Sequence, residues 1–194
     1  MTVRVLRSAD RPAAAWKNGG GITREVASWP EDAGLDGFDW RISLAEVASG
    51  GPFSAFPGVD RVITVVDGGG MELTVDGVRH SVAEPYRPFA FAGDADTRCR
   101  LLDGAITDLN VMTRRGRVAA GVDIVRASRP LPAAAGRTMV LLVLEGRVRL
   151  GRTLLGRHDA VLINGTGGAE GASVVGEDGP SVAALITLDD ISGP

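Results

Sequence analysis

From Val3 to Leu188 the chain is a succession of short apolar or alternating segments, with hardly any stretch of helical period. They run Val3–Leu6, Phe38–Val47, Val59–Val66, Met71–Val75, Thr107–Met112, Val122–Arg126, Thr138–Leu144, Ala160–Ile163 and Ser181–Leu188. Between them stand turn formers: Asp67-Gly68, Asp76-Gly77, Gly93-Asp94, Asp103-Gly104, Glu145-Gly146 and Gly165. Strands at this spacing, closed by glycine turns, build barrels or sandwiches. An all-β fold is therefore expected, with at most short helical turns. Ala13–Ala15, after Asp10 and Pro12, is the one place where such a turn is expected.

Composition fits that reading. Glycine supplies 27 of 194 residues, about twice its ordinary share, while hydrophobic residues reach 44%. Many tight turns around a normal core satisfy both numbers, whereas a disordered chain satisfies only the first. Net charge is −3 and the bases form no stripe, so nucleic acid is not an expected partner. No apolar run approaches a membrane span, and MTVRVLRSAD has no signal-peptide core, so a soluble cytoplasmic protein is expected. Cys99 is the single cysteine, which excludes an internal disulfide and a cysteine zinc cluster. It sits in an apparent strand, Arg98–Leu102, and reads as a small core residue rather than a nucleophile.

A weak internal repeat sets the domain expectation. VITVVDGGGMELTVDG (Val62–Gly77) resembles MVLLVLEGRVRLGRTLLG (Met139–Gly156), each with an apolar run, an acid-glycine pair and a shorter strand. Two β-domains in tandem follow, 1–115 and 116–194, joined near Arg114–Gly121. All of the aromatic residues lie at or before Phe91. Either the first half merely uses larger core residues, or it holds a pocket and the second half is scaffold.

Common catalytic motifs are missing. Gly19-Gly20-Gly21 lacks the Lys-Ser/Thr of a P-loop, and Gly165-Thr166-Gly167-Gly168 is followed by no helical pattern that could make it a dinucleotide fingerprint. The two histidines, His80 and His158, stand alone in the sequence, so neither a metal-ligand spacing nor a Ser-His pair is legible. Neither a metal nor a cofactor is expected.

What remains is polar residues on faces that should be apolar. In Val59–Val66, alternation groups Arg61 with Val59, Ile63 and Val65. A buried guanidinium is costly without a partner. Either an internal carboxylate pairs with it, or it lines a cavity and receives an anion. On Asp39–Val47, Arg41, Ser43 and Ala45 share one side opposite Trp40, Ile42 and Leu44; that side is a solvated face or part of the same cavity. Two arginines suit a small carboxylate. Trp16, Phe53 and Phe56 are candidate walls, and Asn18, Thr23 and Asn110 candidate orienting groups. The Gly19–Gly21 run is expected to shape the rim.

At these residues the sequence resembles a known family. WKNGGGITREV (Trp16–Val26), FDWRISLAEVASGGPFSAFPGVDRVITVVDGGG (Phe38–Gly70), RPFAFAGD (Arg87–Asp94) and DLNVMTRR (Asp108–Arg115) are similar to successive motifs of the HutD/Ves family. Beyond residue 115 the likeness is one of strand pattern. The resemblance implies a bicupin, two jelly-roll barrels in one chain. It also implies a small-molecule-binding or regulatory protein that accompanies histidine-utilisation genes, with formylglutamate a proposed ligand and no firmly attached catalytic activity. The positions matching its motifs are Asn18, Thr23, Arg41, Ser43, Arg61 and Asn110. Set against the metal-binding cupin motif, counting back from Gly68, Ser54 and Phe56 fall at the two histidines and Arg61 at the glutamate. The leading glycine is displaced, at Gly50 or Gly51. A cation at a ligand position repels a divalent metal and attracts an anion.

The leading expectation is thus a metal-free barrel that binds a small carboxylate and acts as sensor or regulator, with pairing of strand edges into a homodimer. One rival is a cupin-type isomerase or hydrolase with Glu25 or Asp60 as general base, unless salt bridges to Arg24 or Arg61 hold those acids. Another is an interaction module whose aromatic-free half docks a partner.

Overall fold

The computed structural model describes residues 2–31, 33–126, 129–132, 136–164 and 173–192. The segment Gly165–Gly168 lies outside them. In chain order the elements are β1 (Thr2–Leu6), a 3-10 turn (Ser8–Asp10), β2 (Ala14–Ala15), β3 (Gly21–Trp29), β4 (Trp40–Val47) and β5 (Gly51–Pro52). Then come β6 (Val59–Asp67), β7 (Met71–Val75), β8 (Val78–Val82), β9 (Phe89–Ala92), β10 (Thr97–Leu101) and β11 (Ile106–Arg114). The chain continues with β12 (Val118–Val125), β13 (Arg129–Pro130), β14 (Thr138–Leu150), β15 (Thr153–Leu155), β16 (Ala160–Asn164) and β17 (Ser173–Asp190). The described residues contain no α-helix, and the fold is all-β.

Ala13–Ala15 is not helical. Ala14 and Ala15 pair with Thr23 and Ile22 as the short arm of a hairpin, and the helical turn sits earlier, at Ser8–Asp10. Gly19-Gly20-Gly21 closes that hairpin. Gly19 takes φ +71°, and a Cβ on Gly21 would stand 2.5 Å from the Glu46 carbonyl oxygen of β4. Glycine is needed here for a reversal and a close approach of two backbones.

The chain divides into two units, Arg11–Val118 and Met1–Asp10 with Ala119–Pro194. Set beside the expected division into 1–115 and 116–194, the boundary falls at Val118 and Ala119, and Met1–Asp10 groups with the later residues. β1 pairs antiparallel with β16, from Thr2 opposite Asn164 to Leu6 opposite Ala160, and Val5 packs on the apolar cluster of the second unit. A strand's partner is chosen by edge hydrogen bonds and burial, not by nearness in sequence.

In the Arg11–Val118 unit, a six-stranded sheet (β2-β3-β4-β11-β6-β9) and a four-stranded sheet (β5-β10-β7-β8) face each other. Their shared core joins Ala45, Val47, Ile63, Val65 and Ile106 from the first to Met71, Leu73, Val82 and Cys99 from the second. Cys99 is buried as expected, its Sγ 3.5 Å from Met71 Sδ. Alternation on β6 is as read: Arg61, Ile63 and Val65 point into this interior. Registers of β11 put Met112 opposite both Arg41 and Arg61, and Asn110 opposite both Ser43 and Ile63.

The other unit is one seven-stranded sheet, β1-β16-β14-β17-β12, with β15 on β14 and β13 on β17. Here Glu145-Gly146 is not a turn. β14 passes through it, paired with β17, and the register shifts between Val143 and Glu145 and again between Glu145 and Arg147. Gly146 has φ +70°, and a Cβ there would lie 2.5 Å from the Pro180 carbonyl oxygen. The bulge bends the strand, so Met139, Leu141 and Val143 before it share one core with Val148 and Leu150 after it. The matching pair Asp67-Gly68 instead ends β6, so the sequence repeat hides two different backbones.

Candidate functional site

The interior face of the six-stranded sheet is more polar than a barrel lining needs to be. Thr23 and Glu25 come from β3, Arg41 and Ser43 from β4, Asp108 and Asn110 from β11, and Arg61 from β6. Period-two alternation and antiparallel register bring them into adjacent rows. Arg41 and Ser43 belong to this interior; Ser43 is 2% exposed, so the solvated-face alternative is set aside.

Arg61 is buried, 7% exposed. Its Nη2 donates to Asn110 Oδ1 at 2.7 Å, and Asn110 Nδ2 donates to Asp108 Oδ1 at 2.5 Å. The guanidinium carbon lies 5.1, 5.6 and 5.0 Å from the ring centres of Phe53, Phe56 and Phe91. Three ring faces at this range offset part of the cation's desolvation, at ~0.5–2 kcal/mol each. Nε has no hydrogen-bond partner. The two sequence alternatives are thus both partly met: an internal carboxylate is present, but through an amide, and donor capacity is left over.

Electrostatics follow from this burial. Asp108 is 1% exposed, and burial pushes its carboxyl up to about 7 against the downward pull of Arg61 and the Asn110 hydrogen bond. Burial likewise lowers Arg61 to about 10; Asp108 opposes this and Arg41 adds to it. Cys99, on the opposite sheet, is pushed up to about 11 by burial and then by Asp108. Near neutrality Arg61 is a cation, Cys99 a neutral thiol, and Asp108 is divided between its two forms.

The remaining expected residues separate into those at the cluster and those outside it. Phe56 touches Arg61. Thr23 shares the sheet face and accepts from Trp16 Nε1 at 2.8 Å. Asn18 is exposed, and its Oδ1 accepts from the Gly20 amide at 3.0 Å, which makes it a turn residue. Ser54 is exposed in the segment between β5 and β6. Of the three positions aligned with metal ligands, Phe56 and Arg61 therefore meet as a ring beside a cation. Among the described residues no group of three His, Cys, Asp or Glu side chains is placed to hold a metal ion.

Glu25 and Asp60 are both in salt bridges, with partners other than those expected. Glu25 Oε2 accepts from Arg41 Nε at 2.6 Å and its Oε1 from Ser28 Oγ at 2.8 Å. Asp60 pairs with Arg115, and Arg24 with Glu46. Sequence reasoning missed Asp108 and Phe91. Both had a signal: Asp108 alternates with Asn110 in DLNVM, and Phe91 with Phe89 in FAFA.

A groove of about 470 Å³ lies outside the aromatic wall, lined by Arg79, His80, Glu84, Arg87 and Phe89 among others. Its Phe89 stacks on Phe91 of that wall with ring centres 6.0 Å apart, and the His80 ring lies 4.9 Å from Phe89. Arg87 there is bonded to Glu84 and both are well exposed, so the groove lacks the buried cation of the interior.

The HutD family model matches residues 8–178. An uncharacterised 21.2 kDa protein in the hutC 3′ region of Pseudomonas putida is 37% identical over 179 residues, covering 90% of this chain and 93% of that protein. Protein Ves of Citrobacter koseri is 42% identical over 148 residues, 74% of each chain. Among solved structures, HutD from Pseudomonas fluorescens SBW25, in a formate condition, is 36% identical with a TM-score of 0.84, covering 97% of this chain and 99% of that one. A cupin 2 conserved barrel domain protein from Leptotrichia buccalis, at 12% identity and TM-score 0.57, shares the fold alone. With the family model matching most of its length and relatives 37% and 42% identical, this chain belongs to the HutD family and has a cupin-like fold.

Proposed function

We propose that the Arg11–Val118 unit binds a small organic anion, its carboxylate seated on Arg61 within the Phe53, Phe56 and Phe91 wall. One observation carries the reading: a buried guanidinium whose Nε has no partner. Burying such a cation is unfavourable relative to an apolar side chain of similar volume, unless something repays the lost hydration. A carboxylate accepting from Nε and a terminal nitrogen does so with two parallel charge-assisted bonds. Arg41, Ser43, Asn110 and Thr23 share the sheet face and supply further polar partners. The reading is metal-free: counting back from Gly68, Arg61 falls at a ligand position of the metal-binding cupin motif, and a cation there disfavours a divalent metal.

Formylglutamate is the ligand that the family resemblance favours, in a regulatory role in histidine utilisation, and the Pseudomonas putida relative in the hutC 3′ region accords with that setting. Isothermal titration with formylglutamate, glutamate and urocanate tests it. Binding of at least one of them, lost in Arg61→Ala, is expected. Binding by none, or binding indifferent to that substitution, refutes it.

One observation favours the enzymatic alternative: Asp108, raised to about 7, has the acidity of a general base. Glu25 and Asp60, the bases first considered, are neutralised by arginines. Asp108 lies behind Asn110 from Arg61, which fits a supporting group better than a proton acceptor. Proton NMR of formylglutamate incubated with the protein decides it, since release of formate would establish turnover.

A further inference from the structure

We propose that Asp108 is the positioning and charge-setting group of the anion site: through Asn110 it fixes what Arg61 presents to the ligand, and binding of the anion draws a proton onto Asp108. This rests on the anion-binding reading above. The geometry is a relay. Asp108 accepts from Asn110 Nδ2, which obliges the amide to turn its oxygen to Arg61 Nη2. One edge of the guanidinium is thereby held, and Nε is left for the ligand.

The second element is charge. Asp108 acts on Arg61 on β6 and on Cys99 on β10, while Arg41 on β4, with Glu25 of β3 bonded to it, acts on Arg61. His80 on β8 lies beyond Phe89. As a carboxylate, Asp108 offsets Arg61 and opposes an incoming anion. As a neutral acid it keeps the hydrogen bond from Asn110 and leaves the cation uncompensated. The carboxyl's rise toward neutrality places both forms within the working range. Linkage then requires reciprocity: if the proton strengthens anion binding, the anion must raise the affinity for the proton by the same factor. For unit charges about 10 Å apart, as the intervening amide and guanidinium require, an effective dielectric of about 20 makes that factor on the order of tenfold.

The test is isothermal titration with N-formylglutamate between pH 6 and 8.5, in paired buffers of different ionisation enthalpy. The probe has no group that titrates in this range, so any linked proton belongs to the protein. Affinity is expected to fall roughly tenfold from pH 6 to 8.5, and binding at pH 7.5 to take up about half a proton. Asp108→Asn, which keeps the acceptor for Asn110 but cannot ionise, is expected to bind at the low-pH strength throughout. His80 is the ionisable ring beside Phe89, so His80→Gln is the control and is expected to keep the wild-type profile.

Binding that is abolished by Arg61→Ala but flat with pH and free of proton uptake overturns the role of Asp108 and leaves the anion site standing. So does an Asp108→Asn protein with the wild-type profile, or a His80→Gln protein without it. Absence of binding at every pH removes both readings together. Should Asp108→Asn fail to fold, the wild-type proton count decides alone.

Discussion

Stability of the Arg11–Val118 unit should fall as pH rises through neutrality, and Asp108→Asn should remove the fall. Asp108 has an ordinary pKa of 3.8 and stands at about 7 in the folded protein, chiefly through burial. Below 3.8 the folded and unfolded chains both hold the proton. Between 3.8 and 7 only the folded chain keeps it, so stability declines by about 1.4 kcal/mol per pH unit. Above 7 both have lost it, and the full penalty of ~4 kcal/mol is present. About 3 kcal/mol of that lies between pH 5 and 8. The sign is the reverse of an ion-paired surface carboxylate, which stabilises more as pH rises. Urea titrations at pH 5, 6, 7 and 8 would measure it. All three tryptophans, Trp16, Trp29 and Trp40, belong to this unit, so their fluorescence reports on it. The asparagine variant should gain on the wild type by ~3 kcal/mol across the series, whatever constant offset separates them. A stability difference that stays constant with pH would falsify the assignment of a buried, proton-holding Asp108.

Other expectations test the architecture. Gly146→Ala should cost ~2 kcal/mol or more by chemical denaturation, because the position combines φ +70° with a Cβ 2.5 Å from the Pro180 oxygen. Gly77→Ala, at φ +80° with nothing within 4 Å, should cost only ~1 kcal/mol; equal losses at the two sites would contradict the bulge. Leu141→Ala, fully buried in the second unit, should lose ~3 kcal/mol by the same assay. Cys99, buried and with its thiol pushed up to about 11, should react with iodoacetamide at pH 8 only slowly in the native protein and rapidly in urea.

How much of this was legible follows from what sequence encodes locally. Alternation along β6 put Arg61 on the face of Ile63 and Val65, and the structure keeps it there. Alternation is a property of one strand, set by the pleat, and needs no knowledge of partners. The same rule left Arg41 and Ser43 undecided, because it says which residues share a face and not whether that face meets a sheet or water. Glu145-Gly146 misled for a related reason: an acid-glycine pair supplies positive φ equally well to a turn or to a bulge. Only pairing with β17 on both sides of it decides for the bulge.

The amino-acid sequence alone determined the all-β class, the family and the placing of an arginine among β-branched neighbours. Those depend on short-range periodicity, turn chemistry and ordered motifs, which the chain carries within a few residues. Tertiary structure decided that Thr2–Leu6 completes the second unit's sheet, and that Arg61 meets Asp108 through Asn110 behind a third phenyl ring, Phe91. Register and burial settle those contacts between strands far apart in sequence. Burial also moved Asp108 toward neutrality, since desolvation of a carboxylate depends on everything packed around it.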